Sequence, residues 1–252
     1  MHLNFEKIMS LGIHLGHFTA SKHGWNPKIK VYVFTIRSNI YIIDLIKSRL
    51  YLERARRFVI RSRFLEDQHQ ILLVGTTVFL ADYIKNRAFV CNCFYVNKRW
   101  LGGILTNWTI IKSSLIHYQR LEREYKVGYW KTLSKKQAFA LTKRLDRFNL
   151  FLVGCKGIRF LPVVVIIAIQ SKEFTALHEC RKLSIPIIST LDTNCDPSIV
   201  TIGVPINEDS VLGVKVFLDI IVNRYIKKHS DWYVEENVSK KFKINTNSYL
   251  FL

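Results

Sequence analysis

The stretch Pro162-Val-Val-Val-Ile-Ile-Ala-Ile169 decides the fold class of this chain. The apolar run around it, Phe160–Ile169, is about half as long as a membrane-spanning helix requires, and it contains Pro162. Such a continuous aliphatic run is typical of a strand that is covered on both faces. Ile71–Val74 and Ile187–Thr190 have the same character, and each precedes a turn. The sequence therefore predicts a parallel α/β sheet with helices on both sides.

The segments around these runs predict the remaining elements. A helix is expected from the turn after Ile71–Val74 to about residue 89, followed by a strand at 93–96. Two further helices are expected at about 172–183 and at about 208–228. Towards the amino terminus we expect a short helix over residues 4–11 and an extended basic loop over residues 12–30. A β-hairpin around Arg37-Ser38 comes next, and Asp44 is placed to cap an arginine-rich helix that runs to about Leu65.

Residues 104–152 interrupt this alternation. Apolar side chains recur there at steps of three and four along two segments, which Gly128 and a polar turn separate. This periodicity predicts an antiparallel coiled-coil hairpin inserted into the α/β fold, with each arm extending about 25 Å beyond the core. The predicted organisation is thus an α/β domain over 1–103 and 153–228, an inserted hairpin over 104–152, and a loosely ordered tail over 229–252.

The charge balance indicates a polyanionic partner. The chain has 38 Lys and Arg against 19 Asp and Glu, a formal net charge of +19. This charge opposes compaction by self-repulsion unless a polyanion neutralises it. Because the apolar runs are short, nucleic acid is favoured over a membrane. The amino-terminal residues lack the pattern of a targeting sequence, which predicts synthesis in the compartment where the protein works.

The segment Phe94-Tyr-Val-Asn-Lys-Arg-Trp-Leu-Gly-Gly-Ile-Leu-Thr-Asn-Trp108 carries the strongest functional signal. It combines a basic pair, two indoles and a Gly-Gly turn before a predicted helix. Cations attract phosphates, aromatic rings stack on bases, and glycine lets the backbone approach closely. The alternative is a strand-to-helix connection whose tryptophans belong to the core.

Two groups of residues resemble an enzyme site. The Gly75-Thr-Thr77 turn follows a strand and could present N–H groups to a phosphate, but it lacks the other glycines and the lysine of a P-loop. Asp192 and Asp196 follow another strand and could hold Mg²⁺, although such residues also build turns and no nucleophile lies nearby. We predict no catalysis and no cofactor. A nucleotide- or phosphate-dependent α/β enzyme using both groups stays the alternative.

Metal binding is not predicted. His14, His17 and His23 lie close in sequence, but Gly12 and Gly16 disfavour a helix there, and no carboxylate or thiolate at ligand spacing completes the set. The five cysteines form an odd set without a C-x-x-C pair, which predicts buried thiols in a reducing compartment. They are Cys91, Cys93, Cys155, Cys180 and Cys195.

Several motifs together resemble, in order, the bacterial-type small-subunit ribosomal protein S2 family over about residues 5–226. Besides the 94–108 segment, they are Gly12-Ile-His-Leu-Gly-His17, Trp25-Asn-Pro-Lys28, Ile42-Ile-Asp44, Leu73-Val-Gly-Thr76, Lys172-Glu-Phe-Thr-Ala176, Ile185-Pro186 and Leu191-Asp-Thr-Asn-Cys-Asp-Pro197. One departure is Val163, where the family usually has Asp, so no role of that carboxylate transfers to this chain.

The resemblance implies a flavodoxin-like three-layer fold and a structural role without catalysis. Its implied partners are small-subunit ribosomal RNA and neighbouring ribosomal proteins, with no small-molecule substrate and no membrane. The residues in these motifs look closer to plastid members than to those of free-living bacteria. The resemblance therefore implies a plastid (chloroplast) ribosome, with a mitochondrial one as the alternative. A free RNA- or DNA-binding regulator is a further alternative, because the net positive charge would be explained equally well by such a partner. The candidate RNA-binding residues are Lys22, Lys28, Lys30, Arg37, Lys98, Arg99, Trp100, Lys112, Lys135 and Lys136.

Overall fold

The computed structural model describes residues 9–21, 25–62 and 70–226. The tail predicted over 229–252 and most of the predicted helix at 4–11 lie outside these ranges. Among the described helices, none combines the length and the apolar character needed to cross a membrane.

A small antiparallel sheet stands at the amino-terminal side of the chain. Its strands are β1 (Leu15–Phe18), β2 (Val33–Arg37) and β3 (Ile40–Ile43), in the order β1-β3-β2. Ser38 and Asn39 join β2 to β3 with positive φ angles of 49° and 60°, as a two-residue hairpin turn with the twist of the strands requires. The predicted hairpin is confirmed.

The expected extended loop over residues 12–30 contains more structure than the sequence predicts. It includes β1 and the start of a 3-10 helix at Pro27–Tyr32, where the Asn26 side chain accepts a hydrogen bond from the Lys28 N–H. Residues 22–24 lie outside the described ranges. The strand escaped prediction because its four residues are held by pairing with β3, which is distant in sequence.

Helix α1 (Leu45–Ser62) begins where the sequence predicts. The Asp44 Oδ1 atom accepts hydrogen bonds from the N–H groups of Ile46 and Lys47, at 2.9 and 3.2 Å, so the predicted cap is confirmed. The described helix ends at Ser62, and the predicted extension to Leu65 falls outside the described residues.

The central sheet is parallel throughout and has five strands. They are β4 (Ile71–Val74), β5 (Phe94–Val96), β6 (Val164–Ile167), β7 (Ile187–Leu191) and β8 (Ile202–Pro205), in the order β5-β4-β6-β7-β8. All residues of β4, β6, β7 and β8 are buried. The predicted parallel sheet is confirmed, and its strand order is consistent with a flavodoxin-like fold.

The edge strand β8 is not predicted by the sequence. Gly203 and Pro205 weaken the strand signal, yet an edge strand tolerates proline because only one side is paired. A Cβ atom at Gly203 would lie 2.1 Å from Leu191 Cδ1, so the glycine lets β8 pack closely on β7.

Helices cover both faces of the central sheet. They are α1 together with α2 (Val78–Cys91), α3 (Trp108–Val127), α4 (Lys135–Phe151), α5 (Phe174–Lys182) and α6 (Val211–Ile226). Ile84 of α2 and Phe217 of α6 are completely buried on the face that α1 also covers. On the other face, Leu177 of α5 packs with Leu105, which lies in the turn before α3.

Helices α3 and α4 pack on each other through a separate apolar cluster, formed by Tyr118, Leu121, Trp130 and Leu145. The Tyr118 hydroxyl donates a hydrogen bond of 2.6 Å to Asn149 Oδ1 across the pair. Gly128 ends α3 in a left-handed conformation, and Ser134 and Gln137 form a capping box at the start of α4. These residues lie in the segment where the sequence predicts two helices.

Candidate nucleic-acid interface

The loop before α3 is built around the carboxylate of Glu179. Glu179 Oε1 accepts hydrogen bonds from Trp100 Nε1 at 2.9 Å and from the Gly103 N–H at 2.7 Å. Its Oε2 accepts from the N–H groups of Leu105 and Thr106, at 2.9 and 3.1 Å. Burial by itself raises the pKa of Glu179, but these donors outweigh that effect and lower it. Glu179 could not be recognised from sequence as the centre of this loop, because no local motif marks it and its partners lie 73 to 79 residues away.

This arrangement separates the residues of the motif into two groups. Trp100 is only 8% exposed and contributes to the core, which favours the packing alternative for this indole. Lys98 and Arg99 lie immediately before it on the surface and are exposed. The Gly-Gly turn is therefore part of a carboxylate-binding loop, and the two cations are what it presents to solvent.

The predicted basic residues of the amino-terminal region differ in how far they are neutralised. Lys28 Nζ lies 2.9 Å from Asp196 Oδ2 and donates to Ser198 Oγ at 3.0 Å. Lys30 and Arg37 are exposed, and neither has a salt bridge with any described residue. Lys22 lies outside the described ranges.

Helix α1 carries a further row of arginines. Arg56 and Arg57 both pair with Glu53, and the hydrogen bond from Arg56 lowers the pKa of that carboxyl group. Arg54 and Arg61 line a groove between α1 and β8 and have no salt-bridge partner among the residues described. One carboxylate therefore faces several cations on this surface.

The two helices α3 and α4 also expose cations. Lys112, Lys135 and Lys136 are exposed, and no described carboxylate pairs with them. Lys112 Nζ lies 5.9 Å from the centre of the Phe160 ring, within cation–π range. Other cations of this pair are neutralised: Arg120 by Glu124 at 3.4 Å, and Lys126 by Glu122 at 3.1 Å.

The turn at Gly75 binds the carboxylate of Glu173 and packs against helix α2. Glu173 Oε1 accepts a hydrogen bond of 2.6 Å from the Thr76 N–H, which is a donor that a phosphate would need. Burial raises the pKa of Glu173. A Cβ atom at Gly75 would lie 2.4 Å from Ile84 Cδ1, so the glycine serves the contact between β4 and α2. This geometry does not favour a nucleotide site.

The two aspartates of the 192–196 loop bind different neighbouring residues. Asp192 is completely buried: its Oδ2 accepts from the Glu208 N–H at 2.9 Å, and its Oδ1 lies 3.2 Å from His17 Nδ1. Asp196 instead binds Lys28. The carboxylates therefore do not converge as the alternative enzyme hypothesis requires.

His17 takes partners that its sequence neighbourhood does not contain. Its Nδ1 lies 3.0 Å from Thr193 Oγ1, and its Nε2 lies 3.8 Å from Asp209 Oδ2. The hydrogen bond with Asp192 raises the pKa of His17. Its neighbour in sequence, His14, is not its partner, and the contacts with Asp192 and Asp209 could not be predicted, because these residues are 175 and 192 positions away.

The cysteines are free, and four of the five are buried. Burial raises the pKa of Cys91 and of Cys155 to about 12 in each case, so both thiols stay protonated near neutral pH. Cys93 is half-buried. The prediction of buried thiols is therefore confirmed for four of the five cysteines and wrong for Cys93.

Fold and surface together define a basic α/β protein with a helical pair, exposed cations and no assembled catalytic group in the parts of the chain that the structure describes. The family model described as "Ribosomal protein S2" matches residues 8–227, and the chain belongs to this family.

Curated relatives agree with this membership. The "Small ribosomal subunit protein uS2" of Trichormus variabilis is 38% identical over 235 residues, covering 93% of this chain and 87% of that protein. The protein of the same name from Synechococcus elongatus is 39% identical over 216 residues, covering 86% and 84%. The "Small ribosomal subunit protein uS2c" of Guillardia theta is 39% identical over 218 residues, covering 86% and 91%.

Proposed function

We propose that this protein is a structural component of the small ribosomal subunit, which binds small-subunit ribosomal RNA and neighbouring ribosomal proteins and catalyses no reaction. The observation that carries the proposal is the match of residues 8–227 to the ribosomal protein S2 family. The net charge of +19 supports it, because folded RNA supplies the neutralising phosphates.

The RNA contacts proposed first are the exposed cations that have no carboxylate partner among the described residues. They are Lys30, Arg37, Lys98, Arg99, Lys112, Lys135 and Lys136. Lys28 contributes less in this proposal, because Asp196 already neutralises it. Trp100 supports the loop that carries Lys98 and Arg99 and does not stack on a base. Lys22 stays a predicted contact.

Helices α3 and α4 act in this proposal as a coiled-coil hairpin inserted between the two halves of the α/β domain. The apolar cluster around Tyr118 and Leu145 keeps the two helices together while their outer faces present lysines to RNA. The domain limits 1–103 with 153–228 and 104–152 belong to the same proposal. Backbone and shape recognition should dominate, because the grooves of A-form RNA expose little sequence information to side chains.

The proposed location is a plastid ribosome. The cyanobacterial relatives and the uS2c proteins of Guillardia theta and Trieres chinensis support this assignment. A mitochondrial ribosome is the alternative. Immunogold labelling, or mass spectrometry of ribosomes isolated from each organelle, distinguishes the two; recovery of the chain only in mitochondrial ribosomes would contradict the plastid assignment.

The binding role is tested by titrating the purified full-length protein with its small-subunit ribosomal RNA at several salt concentrations. We expect affinity to fall steeply with salt, with each neutralised phosphate contributing about 0.7 to 0.9 to the log–log slope. Sedimentation with small subunits after high-salt washing provides an independent measurement. An affinity that does not depend on salt, together with no co-sedimentation, would exclude the proposal.

A further inference from the structure

The groove between α1 and the edge strand β8 carries positive charge that the protein around it does not neutralise. This arginine groove has a volume of about 860 Å³, and its cations are Arg54, Arg56, Arg57 and Arg61. Glu53 is the one carboxylate among the described residues that line it, and it pairs with Arg56 and Arg57. Arg54 and Arg61 are therefore the cations that an anionic occupant would meet.

Apolar side chains lie beside these cations. Leu50, Phe58 and Ile202 line the same groove, and Leu50 is 64% exposed. Covering apolar surface is favourable in water, whereas a phosphate backbone offers nothing apolar to cover it with. An occupant that combines carboxylates with aromatic or aliphatic side chains therefore fits the groove better than a phosphate backbone does.

The groove lies at the amino-terminal end of β8. Ser48, in the first turn of α1, donates a hydrogen bond of 2.6 Å to the backbone oxygen of Pro205, the last residue of β8. Thr201, which directly precedes β8, lines the groove together with Arg61 near the end of α1. Helix α1 thus runs antiparallel to β8.

The last helix, α6, ends at the same end of the central sheet. It packs on both α1 and α2. The Val222 oxygen, close to the end of α6, accepts a hydrogen bond of 3.8 Å from Sγ of Cys91, the last residue of α2. Because Cys91 comes shortly before the first residue of β5, it marks the amino-terminal end of the sheet. The chain therefore leaves α6 at the end of the sheet where the arginine groove lies.

The chain beyond α6 carries its acidic side chains in one short stretch. All the Asp and Glu residues of 227–252 lie in Asp231-Trp-Tyr-Val-Glu-Glu236, which contains no lysine or arginine. The same stretch includes two aromatic rings and a valine. Guanidinium groups bind carboxylates through paired hydrogen bonds and stack on aromatic rings. The stretch therefore matches the groove in both charge and apolar character.

We propose that residues 231–236 of this chain occupy the arginine groove. Their carboxylates pair with Arg54 and Arg61, and their aromatic rings cover Leu50 and Phe58. Packed helices lie about 8 to 10 Å apart, and the five residues 227–231 span up to about 17 Å, which is enough to pass the end of α1. Covalent attachment gives the segment an effective concentration in the millimolar range, so ion pairs that are weak individually suffice.

The test is site-specific cross-linking of the full-length protein in the absence of RNA. Tyr233 is replaced by the photoreactive p-benzoylphenylalanine, and the cross-linked peptides are identified by mass spectrometry. We expect intramolecular cross-links to residues 50–61. The same replacement at Tyr249, which lies outside the acidic stretch, is the matched control and should not concentrate its cross-links on α1.

Charge reversal tests the ion pairs. Arg54→Glu combined with Arg61→Glu should lower the cross-linked fraction at least about threefold, because two ion pairs are lost and two repulsions are added. Adding Glu235→Arg and Glu236→Arg to the same chain should restore the cross-links, which a misfolded variant could not do. The control reverses two exposed cations of α4, Lys135→Glu with Lys136→Glu, and should leave the fraction unchanged.

RNA is the competing occupant. If Arg54 and Arg61 bound phosphates, Arg54→Gln with Arg61→Gln would lower the log–log salt slope of RNA binding by about 1.4 to 1.8, whereas we expect a change below about 0.7. The larger change would overturn the proposal. So would cross-links from position 233 that avoid α1, or a cross-linked fraction that charge reversal does not alter. None of these results bears on the ribosomal role, which the salt dependence of the parent protein and co-sedimentation test separately.

Discussion

The indole N–H of Trp100 donates a hydrogen bond of 2.9 Å to Oε1 of Glu179, and it joins two parts of the chain that are 79 residues apart. Four further donors, all between Gly103 and Thr106, point at the same carboxylate. Glu179 is 7% exposed and sits on α5, beneath the loop. The buried Glu179 carboxylate therefore fixes the conformation of the loop within residues 94–108. This loop in turn positions the exposed side chains of Lys98 and Arg99.

Replacing this carboxylate should destabilise the fold. Glu179→Gln keeps the shape but loses the charge and turns an N–H₂ group towards N–H donors, so we expect a loss of about 2 to 3 kcal/mol in the free energy of unfolding. Urea denaturation measures it. Glu53→Gln, at a surface position of α1, is the control and should cost less than about 1 kcal/mol. Equal effects of the two substitutions would contradict the organising role of Glu179.

The contribution of Glu179 should depend on pH in a defined direction. Its folded-state pKa is lowered from 4.5, since the Trp100 and backbone donors outweigh desolvation. A lowered pKa means that the stabilisation is fully present above the unfolded-state pKa and is lost as pH falls through the folded-state value. The stability difference between the parent protein and Glu179→Gln should therefore be constant near pH 7 and narrow below about pH 4.5. Urea denaturation at several pH values checks this, and a constant difference down to pH 3 would refute it.

Two glycines offer a matched pair for testing close packing. A Cβ atom at Gly154 would lie 2.1 Å from the backbone oxygen of Tyr95, which cannot move without displacing β5, whereas a Cβ at Gly102 meets nothing within 4 Å. We expect Gly154→Ala to cost about 3 kcal/mol or more, and Gly102→Ala to change stability by less than about 0.5 kcal/mol. Thermal and urea unfolding of both variants measures the contrast. Similar stability of the two would show that β5 can shift.

The lysines should differ in their effect on RNA binding. Lys98→Ala removes an exposed cation without a described carboxylate partner, so the log–log salt slope should fall by about 0.7 to 0.9 if Lys98 contacts one phosphate. Lys28→Ala removes a cation that Asp196 already neutralises at 2.9 Å, so its slope should change less. Titration of both variants with the small-subunit RNA makes the comparison. A larger effect at Lys28 would place the interface around residues 28–37 and away from Lys98.

The contact between α3 and α4 should contribute measurably to stability. Leu145 is 6% exposed and packs in the cluster with Tyr118. Leu145→Ala should cost about 2 to 4 kcal/mol, because the cavity adds to the lost transfer free energy. Leu150→Ala, at a position of α4 that is 49% exposed, is the control and should cost less. Urea denaturation followed by circular dichroism measures the difference, and an unchanged midpoint for Leu145→Ala would show that the two helices separate readily.

Local sequence determined the parallel sheet, the hairpin turn at Ser38-Asn39 and the cap at Asp44. These features follow from burial patterns and backbone preferences within a few residues, which act before distant segments meet. The strands β1 and β8 were not predictable in this way. Pairing with β3, which is not its neighbour in the chain, stabilises β1, and pairing with β7 stabilises β8 although Gly203 and Pro205 weaken its own preference for a strand.

Tertiary structure alone decided which polar groups share a site. Trp100 became a core residue because Glu179, 79 positions later, accepts its N–H group. His17 met Asp192 across 175 positions, whereas the sequence suggested His14 as its companion. A buried charge must find its donors wherever the folded chain brings them, so its partners are set by the packing of the sheets and not by spacing along the chain.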